Sequence, residues 1–302
     1  MAGQMVTQTD VALSTLTRRP QRSVFQRLAH FARTKPLGAA SALILLVVIL
    51  LALFAPLVVP YDPTAFTPGQ ERKGYSAEHL LGTDQFGRDV LSRTLFGART
   101  SLAISLAAVV VGSFTGALLG IVSGYYMGRF DMWLQRIMDA LMAFPGLILA
   151  MAVVAVLGAS GINIVIAIGL GFLPRVGRIT RSSAMSLRER QFIDAARAIG
   201  NRDWAIILRH IIPNAVAPFL VVITAELGGA ILAESSLSFL GLGTQEPNPS
   251  LGAMLSRASQ QYFMRAPWMA IWPGVALSLT VFAFNVFGDA LRDVLDPRLR
   301  RG

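Results

Sequence analysis

The chain has 302 residues, of which 54% are hydrophobic and only 15% are charged. This balance is typical of a membrane protein and argues against an ordinary soluble globular domain. The net charge of +10 is explained by basic inner loops that attract anionic lipid headgroups, so it requires no nucleic acid as a partner. The absence of cysteine excludes disulfides.

Hydrophobic runs divide the chain into spans and connections. Runs of about 20 apolar residues cross a bilayer as helices, because a helix satisfies its own backbone hydrogen bonds. The polar segment 1–36 is too long for a cleaved signal peptide, so we expect the first span to remain as an anchor. The sequence predicts an all-α membrane protein with six transmembrane helices, at 37–59, 98–125, 137–157, 162–181, 215–240 and 268–291.

The connection 60–97 ends in a dense polar motif. Taken alone, this motif could be an irregular outer turn in which Arg88 pairs locally with Asp89. The connection is also long enough to form a lid or a docking rim for a delivering protein. The two interpretations are compatible. The motif runs Gly82-Thr83-Asp84-Gln85-Phe86-Gly87-Arg88-Asp89, then Ser92-Arg93, then Gly97-Ala98-Arg99-Thr100-Ser101-Leu102.

Four glycines recur at four-residue intervals in the second span: Gly112, Gly116, Gly120 and Gly124. In lipid, small residues let two helix backbones approach closely. The pattern predicts that this face packs against a neighbouring helix of this subunit or of a partner. The alternative is that the glycines make room for a transported substrate.

Prolines interrupt the next two spans. Pro145 and Gly146 predict a kink in the third span, which serves either a movement or a static bend. The apolar core of the fourth span covers only 162–173 before Pro174, and we expect it to continue as a kinked helix that emerges on the inner side. A re-entrant fourth segment would leave five spans, with the following loop and the carboxyl terminus on opposite sides.

The loop 182–213 is polar, rich in arginine and patterned. Ser186 followed by Glu189 is a capping-box signal, which predicts a helix from near Leu187 to Gly200. Phe192, Ala196 and Ile199 are expected to share one face of it. A second amphipathic helix is predicted over 204–211, ended by Pro213, which cannot donate to the helix ladder. The two helices would meet at Gly200.

Ionisable residues within the spans are costly in lipid and therefore functional candidates. Glu226 lies in the fifth span, where it either lines a polar path or belongs to a hydrogen-bond network between helices. Glu234 is close to the outer boundary and is expected to reach water. Asp139 and Asp289 lie near the inner ends of their spans, where we expect them to pair with arginines.

Lysine and arginine bias sets the orientation. With the amino terminus inside, the inner segments hold 20 basic residues and the outer segments six. Both termini are therefore predicted to face the cytoplasm. The resulting organisation has a tail at 1–36, an outer loop at 60–97, a core at 98–291 with its inner loop 182–213 and outer loop 241–267, and an inner tail at 292–302.

The loop motif resembles a known family. Asp194-Ala195-Ala196, Gly200 and then His210-Ile211-Ile212-Pro213 are similar to the "EAA" loop of permease subunits in bacterial binding-protein-dependent ABC importers. Asp194 stands where that family has glutamate, and Ile212 where it has leucine. The resemblance implies a type I importer permease in the inner membrane, whose loop seats a coupling helix in a cleft of the ATPase subunit. It implies that Asp194, Ala195, Ala196 and Gly200 make this contact, with Phe192 and Ile199 as apolar supports and Pro213 closing the motif. The alternative is a solvated connector.

Two outer motifs extend the resemblance to dipeptide and oligopeptide permeases of the C type. They are the Gly82 motif and the stretch Glu234-Ser235-Ser236-Leu237-Ser238-Phe239-Leu240-Gly241-Leu242-Gly243; the terminal Asp296-Pro297-Arg298 also fits, whereas Leu251 stands where the family often has tryptophan. The implied partners are a second homologous permease, two ATPase subunits and a periplasmic substrate-binding protein. Nickel chelates, glutathione and oligosaccharides are alternative substrates within the same subfamily.

The sequence carries no catalytic or metal-ligating constellation. The three histidines are scattered, and neither lysine, Lys35 or Lys73, stands in a P-loop. We therefore expect a non-catalytic subunit that binds no cofactor, with ATP and Mg²⁺ bound by partner ATPase subunits. A secondary transporter with Glu226 or Asp289 as its ion site is the competing class, although matching pairs of broken helices are not seen in the sequence.

Overall fold

The computed structural model describes residues 31–295, and within them the chain is almost wholly helical. The predicted amino-terminal tail up to residue 30 and the motif Asp296-Pro297-Arg298 lie outside the described residues. Extended pairing in the described range is limited to one isolated antiparallel bridge between Thr83 and Asp89. The helices are α1 (Pro36–Leu53), α2 (Ala55–Val58), α3 (Val90–Tyr126), α4 (Gly128–Met142), α5 (Gly146–Leu157), α6 (Gly161–Arg188), α7 (Gln191–Ala198), α8 (Asp203–Ile206), α9 (Ile212–Phe239), α10 (Leu251–Arg257) and α11 (Trp268–Leu295).

Five helical segments in the described range are long and apolar enough to cross a membrane: α1, α3, α6, α8 together with α9, and α11. The pair α4 and α5 forms a sixth candidate that is bent by 93°. The kink predicted at Pro145 and Gly146 is therefore much sharper than a bend within one straight span. Pro145 has an extended backbone conformation and ends the turn after α4, so α5 starts afresh in a new direction.

Helix α3 packs along α6 through the glycine ridge. Gly112 faces Gly169, Gly116 faces Leu173, Gly120 faces Gly177 and Gly124 faces Arg181. An ideal Cβ on Gly116 would lie 2.5 Å from the Leu173 carbonyl oxygen, so only glycine permits this approach. Because the paired residue numbers rise together, α3 and α6 run parallel, and the bent pair α4 and α5 must carry the chain back across the bilayer between them.

The remaining contacts fix which ends lie together. Lys35 Nζ lies 2.6 Å from Asp293 Oδ2, so the start of α1 meets the end of α11. Helices α9 and α11 are antiparallel, since Gly288 lies against Thr224 and Gly228 against Asn285. The loop that precedes α9 therefore shares a face with both described chain ends. The re-entrant alternative for the fourth segment, which placed them on opposite faces, is wrong.

Several predicted boundaries need correction. Helix α3 begins at Val90 and not near residue 98, because the Asp89 side chain caps it by accepting from the Ser92 backbone N–H at 2.7 Å. Helix α6 extends to Arg188 and not to 181, with Pro174 inside it. Its inner arginines are neutralised by α4: Arg178 pairs with Asp139, as expected for that aspartate, and Arg181 pairs with Asp131.

Candidate functional site

The loop between α6 and α9 forms a compact unit on the inner face. Ser186 lies within α6, so the predicted capping box is wrong, and the chain turns at Glu189 before α7 begins at Gln191. Helix α7 ends in a Schellman motif: Asn201 N–H donates to the Ala196 carbonyl at 3.1 Å and Gly200 N–H to the Arg197 carbonyl at 2.9 Å. Gly200 has a φ of +81°, a conformation that favours glycine.

Pro213 does not end a helix, contrary to the prediction. A π turn over Ile207–Ile211 joins α8 to α9, and the Ile212 N–H donates to the Ile207 carbonyl five residues earlier. Pro213 follows in the first turn of α9, where its missing N–H costs little. Helix α8 therefore continues through the π turn into α9 without interruption.

One side of α7 is anchored in an apolar cluster. Ile193 and Ala196 are buried there with residues from the inner ends of α3, α6, α8 and α9: Ile121, Tyr125, Ala184, Ile206, Ile207, Ile211 and Ala215. The Ala196 side chain faces this cluster and not solvent, which argues against its predicted contact with another protein. Burial of this kind fixes the orientation of α7 relative to the bundle.

The other side of α7 presents an apolar stripe to solvent. Phe192 is 43% exposed and Ile199 is 79% exposed, and Ala195, which lies between them along the helix, is also exposed. Phe192 and Ile199 are therefore the exposed part of the segment, so they do not share a face with the buried Ala196 as predicted, and their support of a contact with another protein stays a prediction. Asp194 is exposed too and lies 3.5 Å from Arg197.

Polar contacts that the sequence analysis missed brace this segment. The Tyr125 hydroxyl donates to Asp203 Oδ1 at 2.6 Å, and the Arg197 guanidinium lies 5.5 Å from the Tyr125 ring centroid. Asp131 is buried and receives two hydrogen bonds from Arg181, at 2.6 and 2.5 Å. These partners are 50 or more residues apart in sequence, so no local pattern could have revealed them.

The intramembrane carboxylates have different environments. Glu226 is buried on α9 and lies 3.0 Å from Arg175 Nη1 on α6. Glu234 is fully buried, so the expectation that it reaches water is wrong; Ser238 donates to it at 2.7 Å. Asp289 is exposed.

A charged network joins the outer loops. Arg88 donates to Asp84 at 2.6 Å and to Glu246 at 2.6 Å, so the predicted local pairing of Arg88 with Asp89 is wrong. Arg93 and Arg257 also pair with Glu246. Burial raises the pKa of Glu246, but the hydrogen bond from Arg88 and the neighbouring guanidinium charges outweigh it, so the pKa lies below the ordinary 4.5.

A cavity of about 880 Å³ opens beside this network on the outer face. It lies between the start of the 60–97 loop, the upper part of α3 and the segment 243–249. Tyr61 and Asp62 contribute from one side and Thr244 and Gln245 from the other. Two outer loops that are distant in sequence thus form one surface.

The chain belongs to the family of binding-protein-dependent transport system inner membrane components, which its residues 116–301 match. Residues 23–77 match the N-terminal transmembrane domain of oligopeptide transport permease C. These matches confirm the resemblance to permease subunits of ABC importers, and the chain is a multi-pass protein of the inner membrane.

Similar proteins can be aligned with nearly the whole chain. The dipeptide transport system permease protein DppC of Alkalihalophilus pseudofirmus is 43% identical over 281 residues, covering 93% of this chain and 91% of that protein. The glutathione transport system permease protein GsiD of Pectobacterium atrosepticum is 41% identical over 284 residues, covering 94% and 93%. The inward-facing MetNI methionine ABC transporter matches 65% of this chain and 94% of its own at 17% identity, with a TM-score of 0.48.

Proposed function

We propose that this chain is one permease subunit of an ATP-driven importer for dipeptides or oligopeptides, and that α7 is its coupling helix. The observation that carries the proposal is the two-sided character of α7. Its underside is fixed to the bundle by Ile193 and Ala196, whereas Phe192, Ala195 and Ile199 form an apolar stripe on the inner face. A stripe of this kind suits the groove of another protein.

The movement driven by ATP hydrolysis would be transmitted to the helix bundle through this stripe of α7. Two ATPase subunits that bind ATP and Mg²⁺ would each hold one coupling helix, one from this chain and one from a second, homologous permease. Closure of the ATPases would draw the helices together and switch the bundle between inward and outward access. A partner shifts conformational populations only through contacts that differ between the two states, and a rigidly anchored α7 supplies them. The chain itself would remain non-catalytic and free of cofactors.

The outer surface fits the remaining partner. A periplasmic substrate-binding protein would deliver its cargo to the cavity between the 60–97 loop and the 243–249 segment. The ion pairs of Arg88 and Arg93 with Glu246 would hold the two outer loops in fixed positions during docking.

Peptides are the proposed substrates because two relatives above 40% identity carry peptide-related names, dipeptide and glutathione permeases. Glutathione remains a second candidate on the strength of the second relative. A secondary transporter that uses Glu226 as its ion site is less well supported, since Arg175 already occupies the position of a cation beside that carboxylate.

The test is to place a charge on the apolar stripe. Ile199→Asp should leave membrane insertion and subunit assembly intact but lower ATP-driven uptake in proteoliposomes about tenfold or more, because a carboxylate in an apolar groove loses its hydration. Ala198→Asp is the matched control, since this exposed alanine lies on α7 outside the stripe. Equal uptake in both variants, close to that of the wild type, would contradict the proposed coupling surface.

A further inference from the structure

Arg175 and Glu226 form an ion pair near the middle of two spanning helices. Arg175 lies halfway along α6, and Glu226 lies halfway along α9. The two side chains differ in access: the Arg175 side chain is 64% exposed, whereas that of Glu226 is only 7% exposed. Arg175 lies one turn before the inner arginine Arg178, at the inner side of the apolar part of α6, where an exposed guanidinium still requires an explanation because charged groups within a span are rare and costly.

The surroundings of Arg175 are polar. The exposed positions on this side of α6 are Gly171, Arg175, Arg178 and Ser182, which recur at helical spacing. Large apolar residues that are exposed on α6, Ile162 and Ile166, lie near its outer end and on the opposite side of the helix. The stripe that contains Arg175 therefore faces water or protein and not lipid.

Open space adjoins the pair on both helices. A Cβ added to Gly171 on α6 or to Gly229 on α9 would meet no atom within 4 Å. Glu226 Oε1 is buried, and among the described residues its polar contact is the ion pair with Arg175 Nη1 at 3.0 Å. The carboxylate can therefore accept from a ligand only when the exposed guanidinium turns away from it, and the open space at Gly171 and Gly229 lies within one turn of the pair on each helix.

We propose that Arg175 and Glu226 form a binding site for a zwitterion on the translocation path, a step that rests on the proposed peptide function. The exposed guanidinium binds the carboxylate of a peptide in a bidentate manner, and Glu226 accepts from its ammonium group. Before the substrate arrives, the two side chains neutralise each other, so neither leaves an isolated charge in the membrane. A molecule with one charge only would leave one member of the pair unpaired, which gives the site its preference.

The experiment compares three probes in proteoliposomes that contain the complete transporter: dialanine, its carboxyl-terminal amide and its N-acetyl derivative. Arg175→Gln should lower dialanine uptake about tenfold relative to the amide, since the amide never used the guanidinium. Glu226→Gln should lower dialanine uptake about tenfold relative to the N-acetyl derivative. The same binding protein delivers the probes to every transporter variant. Its preference among the probes therefore cancels when the ratio of uptake of two probes in a variant is divided by the same ratio in the wild type.

Arg178→Gln is the matched control. Arg178 belongs to the same exposed stripe of α6, but it pairs with Asp139 and not with Glu226. The variant should change uptake of all three probes equally. If the uptake of dialanine relative to each blocked derivative is the same as in wild type in both Arg175→Gln and Glu226→Gln, the binding role is overturned. The ion pair would then serve only the packing of the helices or a contact between permeases. If one variant fails to assemble, the other decides. A wild-type complex that hydrolyses ATP but takes up no dialanine would instead contradict the proposed peptide function itself.

Discussion

At the scale of single residues, the inner loop shows where local sequence is informative and where it misleads. Gly200 was recognisable because a helix that stops in a left-handed conformation favours glycine, and its φ is +81°. Ser186 and Glu189 carry an equally local signal, but Ser186 belongs to α6, which continues through it.

Gly200→Asp should uncouple ATP hydrolysis from uptake without preventing membrane insertion. No atom lies within 4 Å of the new Cβ, so the change causes no clash. It costs about 1–2 kcal/mol of left-handed strain, which loosens the end of α7 that carries Ile199. Gly200→Ala introduces similar strain without a charge and should have a smaller effect. Uptake per ATP hydrolysed in reconstituted vesicles is the measurement, and undiminished coupling would refute the role of this turn.

Glu246 is the acidic centre of the outer network, and its lowered pKa has a defined consequence for pH dependence. A carboxyl group whose pKa is lower in the folded state stabilises the fold above its ordinary value of 4.5 and loses this contribution as the pH falls through the folded-state value. Glu246→Gln should lower the stability by roughly 2 kcal/mol at neutral pH, because Arg88 and Arg93 each lose one of two carboxylate partners and keep only Asp84. The difference from wild type should shrink in acid. Thermal unfolding in detergent across pH 3–7 checks this; a difference that is independent of pH would contradict it.

At the scale of helices, the contact between α3 and α6 organises the bundle. The four glycines of the ridge bring two parallel backbones together without intervening side chains. The spacing predicted the packing face, but it did not reveal the partner helix or its direction, because any small-residue surface would satisfy the pattern. The parallel direction is the feature that requires α4 and α5 to cross the membrane between the two.

Gly116→Leu should abolish assembly or reduce the amount of folded protein severely. Its Cβ would lie 2.5 Å from the Leu173 carbonyl oxygen, which is backbone and cannot move aside without separating the helices. Gly171→Leu is the control, since this glycine of α6 faces open space. Detergent-solubilised yield by size-exclusion chromatography distinguishes them: normal, monodisperse Gly116→Leu protein would show that the ridge is dispensable for packing.

At the scale of the whole molecule, the sequence predicted six spans, counting the bent pair as one, and a common side for the inner loop and the described chain ends, since hydropathy and charge bias act over whole segments. It did not predict which side chains meet. Arg175 and Glu226 are 51 residues apart on separate helices, and Arg88 and Glu246 are 158 apart on separate loops. The exposed and buried sides of α7 were also reversed in part, because amphipathic spacing defines a face without saying what covers it.

The π turn that joins α8 to α9 makes α8 and the fifth span one continuous helix, to which α7 is joined through the Gly200 turn. From Ile207 to Glu226 this helix is about 28 Å long at 1.5 Å per residue. Pro213 and Pro218 lie within this stretch, and each removes one backbone hydrogen bond, so the helix can bend there. A displacement of α8 would therefore reach the Arg175–Glu226 pair partly as a translation and partly as bending at these prolines, so we expect the geometry of the pair to change when α8 moves.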